Sequence, residues 1–378
     1  MKVLCLNKIS PVGLKTLPVG TEVTEDVKQA DFILVRSANM LETVLPENVV
    51  AVARCGAGVN NIPLEPYAKA GVVVFNTPGA NANAVKELTI AGMLLAARDL
   101  RGSMEWVKEN KGDELINKSM EKAKGAFAGT EILGKTLGVI GCGAIGALVA
   151  QAAGGLGMHV IGVEPSKDTI ERNKHLFPAD MEIVSYDEMY ARADYISVHV
   201  PLLDATRGML NKEAFAKMKD GVIIVNCARD AIVNDDDLKE AIAAGKVRKY
   251  VTDFPNYKTA NMEGVVAISH LGASTEEAED NCAVMACKQV VDYIKNGNII
   301  NSVNYPRIDL GKAEGPRVVV LCEAEAVQAV TDCVNKAGVA KLASGVKGAV
   351  GAVVAEVKGS VNEAELKAIA GVKRVRVI

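Results

Sequence analysis

Residues 137–146, Leu-Gly-Val-Ile-Gly-Cys-Gly-Ala-Ile-Gly, constrain this chain more than any other stretch. A short apolar run of the kind that makes a buried parallel strand enters three glycines spaced G-x-G-x-x-G, and an alanine-rich stretch continues as a helix to about Gly155. Each glycine has a task in such a strand–turn–helix unit. Gly141 makes the tight turn, Gly143 lets the backbone approach a pyrophosphate, and Gly146 lets helix and strand pack closely. The free amides and positive dipole end of the new helix then hold the phosphates. The motif alone is weak, because a glycine-rich turn is often only a turn. Here a second strand, Met158 to Val163, ends at Glu164, 18 residues past Gly146. That is close to where a dinucleotide fold places the carboxylate for the adenosine ribose hydroxyls.

At 378 residues the chain exceeds one ordinary core, so two or three domains are expected. A net charge of −3, with lysines and arginines scattered, gives no electrostatic case for nucleic acid or a membrane surface as partner. The eight cysteines form no C-x-x-C pair and sit mostly in apolar runs, which reads as buried reduced thiols and no metal site. The first apolar residues are interrupted by Asn7 and Lys8, too soon for a signal peptide. No stretch approaches the roughly 20 apolar residues needed to span a bilayer. A cytoplasmic protein is expected.

Along the first 90 residues, strand candidates at Val3–Leu6, Phe32–Val35, Val50–Ala53 and Val72–Phe75 alternate with turn and helix signals, as in a parallel sheet with crossover helices. Ala84–Arg98 is apolar nearly all round and reads as a buried helix shared between domains or subunits. Residues 101–130 are polar, contain the only tryptophan, and read as a surface helix and connector. Strand–helix units then repeat to Ile268, and a helix capped near Ser274 runs through Lys295. The last segment reads βαββαβ, the ferredoxin-like plan, after a linker containing Asn304-Tyr305-Pro306-Arg307 and 311–316.

Val35-Arg36-Ser37, the 54–61 stretch Arg-Cys-Gly-Ala-Gly-Val-Asn-Asn, Asn76-Thr77-Pro78-Gly79, the glycine loop, His199-Val200-Pro201-Leu202, Asn226-Cys227-Ala228-Arg229 and Ser269-His270-Leu271-Gly272-Ala273 occur in one order. With these stretches the chain resembles the D-isomer-specific 2-hydroxyacid dehydrogenases, in particular their phosphoglycerate-oxidising members. The resemblance covers essentially the whole length. It implies an α/β fold with a Rossmann NAD-binding domain (96–272) inserted in a flavodoxin-like α/β substrate domain (1–95 and 273–308), with the helices at 84–98 and 274–295 crossing between them. A C-terminal ferredoxin-like, ACT-like regulatory domain (316–378) follows. It further implies a homodimer or homotetramer.

The implied reaction is NAD-dependent oxidation of D-3-phosphoglycerate to 3-phosphohydroxypyruvate, the first step of L-serine biosynthesis. Removing a hydride from a carbon bearing a hydroxyl requires a base for the proton and a cation for the carboxylate. His270, an imidazole and so suited to reversible proton transfer, is by resemblance the acid/base. Arg229, just past the strand 222–225, can hold the carboxylate with its planar fork. Arg36 and Arg54 both end strands of the first domain, and two guanidinium groups there fit a substrate phosphate. The family places substrate-binding residues at these positions and at Ser37, Gly56, Ala57 and Gly58. For the cofactor, Ala144 and Ile145 would cover the pyrophosphate by backbone amides. Glu164, in place of the usual aspartate, repels a 2′-phosphate and favours NAD over NADP. His199, Cys227, Ala228, Arg229, Asp253, His270 and Gly272 would line the rest of the cofactor site. Val200 and Pro201 lie on its adenine side, and Asp253 is the partner of the carboxamide.

The pattern departs from the family in three places. Most members carry a glutamate a few residues past the Asp253 position that hydrogen-bonds the catalytic histidine. Here Tyr257 or Lys258 stands there. Either another group such as Glu263 supports His270, or His270 works without a carboxylate. Asp230 follows Arg229 where a glycine is usual, and the turn after the first strand of the C-terminal module lacks the family's amino-acid-binding pattern. Two other functions stay open: reduction of hydroxypyruvate, glyoxylate or another D-2-hydroxy acid, and a low-turnover NAD-sensing role.

Overall fold

A computed structural model describes all residues, Met1–Ile378. The chain forms two compact units, one from Met1–Asn81 with Glu276–Ile378 and the other from Ala82–Thr275. The first unit begins with β1 (Lys2–Cys5), α1 (Pro11–Leu14), β2 (Glu22–Thr24), β3 (Phe32–Val35), β4 (Ala51–Arg54), α2 (Leu64–Lys69) and β5 (Val73–Phe75). These strands make a parallel sheet in the order β2-β1-β3-β4-β5. The sheet is buried on both faces, so its strands read as unbroken apolar runs. In β3, Phe32 and Leu34 face one core while Ile33 and Val35 face another. The short strand β2 and helix α1 are additions to the sequence reading. β2 lies at the sheet edge and is mostly exposed, so its sequence carries little apolar signal.

The second unit opens with α3 (Ala82–Ala97), α4 (Leu100–Glu109) and α5 (Ile116–Ala123). It then runs β6 (Thr136–Ile140), α6 (Ala144–Gly155), β7 (His159–Val163), α7 (Lys167–Asn173), β8 (Glu182–Ile183), α8 (Tyr186–Arg192), β9 (Tyr195–Val198), α9 (Lys212–Lys217), β10 (Val222–Asn226), α10 (Asp235–Ala243), β11 (Val247–Thr252), α11 (Tyr257–Ala260) and β12 (Val265–Ala267). Its seven strands are all parallel in the order β12-β11-β10-β9-β6-β7-β8. Chain order reverses between β6 and β9, the crevice where doubly wound sheets bind ligands at the carboxyl ends of their strands. Helix α3 packs on α6, β10 and β11. Its Val85, Met93 and Ala96 share a core with Val149, Ala150 and Ala153 of α6. The unit boundary therefore falls before α3 rather than at 95/96.

The chain then returns to the first unit through α12 (Glu276–Asn296), followed by β13 (Arg317–Glu323), α13 (Val327–Asn335), β14 (Val339–Lys347), β15 (Val350–Val357), α14 (Glu363–Ala368) and β16 (Val372–Val377). The last four strands form an antiparallel sheet in the order β14-β15-β13-β16, the ferredoxin-like arrangement. Along β13, Val318, Val320 and Cys322 face α13 and α14. Val319 and Leu321 point the other way, into the core that holds Tyr293, Ile299 and Tyr305. The helix-free face of this sheet is thus buried in the first unit.

The stretch read as a linker is part of that core. Asn304 is buried, and its carboxamide donates to the Val72 carbonyl and accepts from the Val74 amide, pairing along β5 as a strand would. The Tyr305 hydroxyl donates to the Ala68 carbonyl at 2.6 Å. Asn-Tyr-Pro has turn chemistry in sequence, and only the fold supplies the partners that make burial of these polar groups tolerable.

Three arginines join the C-terminal module to the rest of its unit. The fully buried Arg317 donates to Glu356 and to the carbonyls of Asn296, Leu310, Gly311 and Lys312. Arg376 lies over the Tyr293 ring and donates to the Tyr293 and Ile294 carbonyls near the end of α12. Arg374 reaches the carbonyls of Ala70 and Gly71 behind α2, together with those of Glu47 and Val49. Helix ends leave their last carbonyls unpaired, and cationic forks satisfy both the hydrogen bonds and the negative dipole end. All eight cysteines are free thiols.

Candidate active site

In the second unit the glycine loop follows β6. Gly141 has φ 87°, a conformation that side chains disfavour, and a Cβ there would stand 2.9 Å from the His199 carbonyl oxygen. A Cβ on Gly146 would stand 1.9 Å from the carbonyl oxygen of Gly141, so only glycine lets α6 start this close to the strand. A Cβ on Gly143 would instead enter open space beside the first residues of α6, Ala144 and Ile145. An anion can take that place against the helix amides.

Glu164 sits at the end of β7 as expected, with an additional task. Its carboxylate accepts from the Cys142 amide at 3.1 Å and the Ser166 amide at 3.0 Å, and so ties the glycine loop to β7. Asn173 donates to the Cys142 carbonyl from the other side. Burial, with the Glu164 charge beside it, pushes the Cys142 thiol up to about 12, so it stays neutral in the loop.

His199 follows β9 with its Nε2 2.8 Å from the Ser197 hydroxyl. The residue keeps some surface, but its imidazole is densely surrounded, and desolvation pushes it down to about 3. It is a neutral group. Val200 lies beside it, its Cγ1 2.9 Å from the Cβ position of Gly141, and Pro201 is next in the chain.

The loops after β10, β11 and β12 carry the polar cluster. Asn226, the last residue of β10, is fully buried and builds the first of these loops. Its carboxamide oxygen accepts from the amides of Ala228 and Arg229, and its nitrogen donates to the Arg229 carbonyl and the Tyr250 hydroxyl. The Arg229 guanidinium donates one bond to the Ala228 carbonyl and keeps its other donors available. Cys227 is buried and likewise neutral, pushed up to about 12 by burial and then by the Asp253 charge.

Asp253, just past β11, is fully buried. One carboxylate oxygen accepts from the Gly272 amide at 2.9 Å, and the other has no partner within the protein. Burial raises its carboxyl, against the Gly272 hydrogen bond and the charges of His270 and Arg229. A buried carboxylate oxygen without a donor is costly unless a ligand supplies one. The carboxamide nitrogen of a nicotinamide is such a donor, and with the open cradle at Gly143 the residues present fit a dinucleotide.

His270 is exposed beyond β12, and its ring rests on Phe254, with centroids 4.2 Å apart. No carboxylate touches it. Lys258 is bound to both oxygens of Asp236, and Tyr257 is 87% exposed. Glu263 lines a surface cleft with Ile242, Arg248, Tyr257 and Met262, and no hydrogen bond or ion pair joins it to His270. Asp230, at the variant position, begins a short 3-10 turn after Arg229.

In the first unit, Arg36 and Arg54 lie at the ends of adjacent strands, with Val35 and Arg54 in register. The Arg54 Nε donates to the Arg36 carbonyl. Gly56, at φ 149°, makes room for the Arg54 guanidinium, since a Cβ there would lie 1.5 Å from Nη1. Arg36 pairs with Glu279 of α12 at 2.6 Å. The Asn7 carboxamide oxygen accepts from three successive amides, those of Arg36, Ser37 and Ala38, and shapes that turn. Asn76 donates to the Ala57 carbonyl, and the Gly56 carbonyl accepts from Thr77, which together hold the 56–58 turn.

Sequence reasoning missed Asn7, Asn226 and Phe254 as shapers of the site. A polar asparagine closing an apolar strand was the available signal for the first two.

The family described as D-isomer specific 2-hydroxyacid dehydrogenase, NAD binding domain, matches residues 90–272. The chain is 36% identical to a hydroxypyruvate reductase of Thermotoga maritima over 71% of this chain and 86% of that protein. It is 33% identical to a D-3-phosphoglycerate dehydrogenase of Methanocaldococcus jannaschii over 81% of this chain, while spanning only 58% of that longer protein. A crystal structure of NAD-bound 3-phosphoglycerate dehydrogenase from Entamoeba histolytica covers 80% of this chain and 98% of its own, with a TM-score of 0.62 and 26% identity. The chain is an NAD-dependent oxidoreductase that belongs to the D-isomer-specific 2-hydroxyacid dehydrogenases.

Proposed function

We propose that this enzyme oxidises D-3-phosphoglycerate to 3-phosphohydroxypyruvate, as the entry to serine synthesis. The observation that carries this reading is the pair of strand-end arginines in the first unit. Arg54 is held against the Arg36 backbone, and Gly56 is the residue that leaves its guanidinium space. A planar cationic pair at the carboxyl end of a parallel sheet suits a phosphate, which an unphosphorylated hydroxy acid does not need. Several phosphoglycerate dehydrogenases among the relatives agree with it.

The roles follow from the chemistry of the groups. Arg229 holds the substrate carboxylate with its remaining donors and draws charge toward the oxygen that becomes a carbonyl. His270 takes the hydroxyl proton, and in the reverse direction returns it. Asp253, through its unpaired oxygen, holds the carboxamide end of the cofactor and the amides of Ala144 and Ile145 its central pyrophosphate, with Glu164 at the adenosine ribose. NAD, when bound, supplies the hydride acceptor. Apolar residues exposed on and between α4 and α5, including Met104, Val107, Leu115 and Met120, suit a homo-oligomer. A cytoplasmic location is part of this proposal, and no helix is long and apolar enough to cross a membrane.

Hydroxypyruvate reduction is the second reading. It is favoured by the Arg36–Glu279 ion pair, which already balances one of the two cations, and by the reductase relative that the chain nearly spans. A substrate panel followed by NADH absorbance separates the two. On the phosphoglycerate reading, Arg54→Ala raises KM for the phosphorylated substrate about tenfold or more and leaves unphosphorylated hydroxy acids within about twofold. Equal effects on both, or no NADH from phosphoglycerate with the product trapped, would sink it.

A further inference from the structure

We propose that Phe254 is a positioning residue of the dehydrogenase reaction, a single aromatic ring that sets both His270 and Arg229. The three residues follow three consecutive parallel strands. Arg229 comes after β10, Phe254 after β11 and His270 after β12, and in the sheet β11 lies between the other two. The middle loop is therefore the one element able to touch both neighbours. Its ring does so, lying 4.2 Å from the His270 ring at an interplanar angle of 44°, with the Arg229 guanidinium carbon 5.2 Å from its centroid.

Phe254 is itself anchored. Its amide donates to the Thr252 hydroxyl at 3.0 Å, and the chain on its N-terminal side, Thr252 and Asp253, is buried. His270, by contrast, is exposed. It has no hydrogen-bonding carboxylate: Tyr257 or Lys258 stands at the family's glutamate position, and Glu263 lies in a separate cleft. Imidazole and guanidinium both pack favourably on the face of an aromatic ring, and a cation gains there from the ring quadrupole. An aliphatic side chain fills the volume and offers no such face. Phe254 thus limits the orientations of the proton-transfer group and of the carboxylate clamp together, which is where small misplacements are felt most strongly.

The inference rests on the family-level assignment of His270 and Arg229 and is independent of which hydroxy acid is the substrate. The test compares the full-length wild type with Phe254→Leu and Phe254→Tyr, using the best substrate of the panel and NAD. Phe254→Leu is expected to lower kcat about fivefold to tenfold and to raise KM for the hydroxy acid, as two ring contacts of ordinary strength are lost. Phe254→Tyr keeps both values within about twofold, and the Kd for NAD is unchanged in all three proteins.

NMR of the histidine ring protons, assigned with His270→Gln, gives a readout that needs no turnover. An upfield ring-current shift of His270 is expected in the wild type and Phe254→Tyr and is lost in Phe254→Leu. The proposal is overturned if Phe254→Leu matches the wild type, if Phe254→Tyr falls as far as Phe254→Leu, or if the wild type shows no such shift. A wild type that turns over no 2-hydroxy acid would instead count against the dehydrogenase reading, and the NMR comparison would still decide the contact.

Discussion

His199 offers a quantitative test of the cofactor unit. Its imidazole is pushed down to about 3 by burial, from an ordinary 6.5. Because the folded value is depressed, the unfolded chain takes up a proton first as the pH falls. Stability is therefore full above about pH 6.5 and is lost progressively down to about pH 3. At about pH 5 the unfolded histidine is almost fully protonated and the folded one almost not at all, so the loss is RT ln(1 + 10^1.5), about 2 kcal/mol. A folded value one unit higher changes this figure by less than about 0.1 kcal/mol, because pH 5 still lies above it.

The assay is urea denaturation followed by tryptophan fluorescence. Trp106, the only tryptophan, lies in the second unit and so reports the unit that holds His199. His199→Gln keeps a polar partner for Ser197 and removes the titration. Other titratable groups with shifts, such as Asp194 and Asp253, are present in both proteins and cancel in the comparison. Between about pH 7.5 and pH 5 the wild type should lose about 2 kcal/mol more than the variant, or about 4–8 °C in Tm for a unit of this size. Equal losses to within about 0.5 kcal/mol would refute the burial argument.

Gly146→Ala places a Cβ against the Gly141 carbonyl and should raise the Kd for NAD at least about tenfold by calorimetric titration. A Kd within about twofold of wild type would show that the loop tolerates the methyl group. Arg317→Met strips the donors from Glu356 and four carbonyls and should lower Tm by about 5 °C or more, while replacing Arg317 and Glu356 together with apolar residues should recover part of the loss. An unchanged Tm would mean that the C-terminal module is not stapled through this residue.

Where side-chain pattern and local geometry suffice, the amino-acid sequence by itself determined the outcome. The strand Phe32–Val35, the G-x-G-x-x-G turn with α6 behind it, the Glu164 position and the βαββαβ order of the last module are all set by neighbours in sequence. Apolar periodicity, glycine sterics and helix capping act over a few residues, so they can be read without the fold. Tertiary structure decided what depends on pairing between distant segments. Strand order determined that Phe254 lies between Arg229 and His270, and buried strands determined that Asn304 and Tyr305 are core residues rather than a linker.

The same division explains Glu164 and the arginines. That Glu164 is acidic and well placed is local, but its bond to the Cys142 amide requires β6 and β7 side by side. Arg317, Arg374 and Arg376 look like ordinary strand arginines in sequence. Arg374 and Arg376 reach carbonyls 82 to 327 residues away, while Arg317 combines Asn296, Glu356 and the nearby carbonyls 310–312, and a carbonyl carries no side-chain signature by which the sequence could announce it.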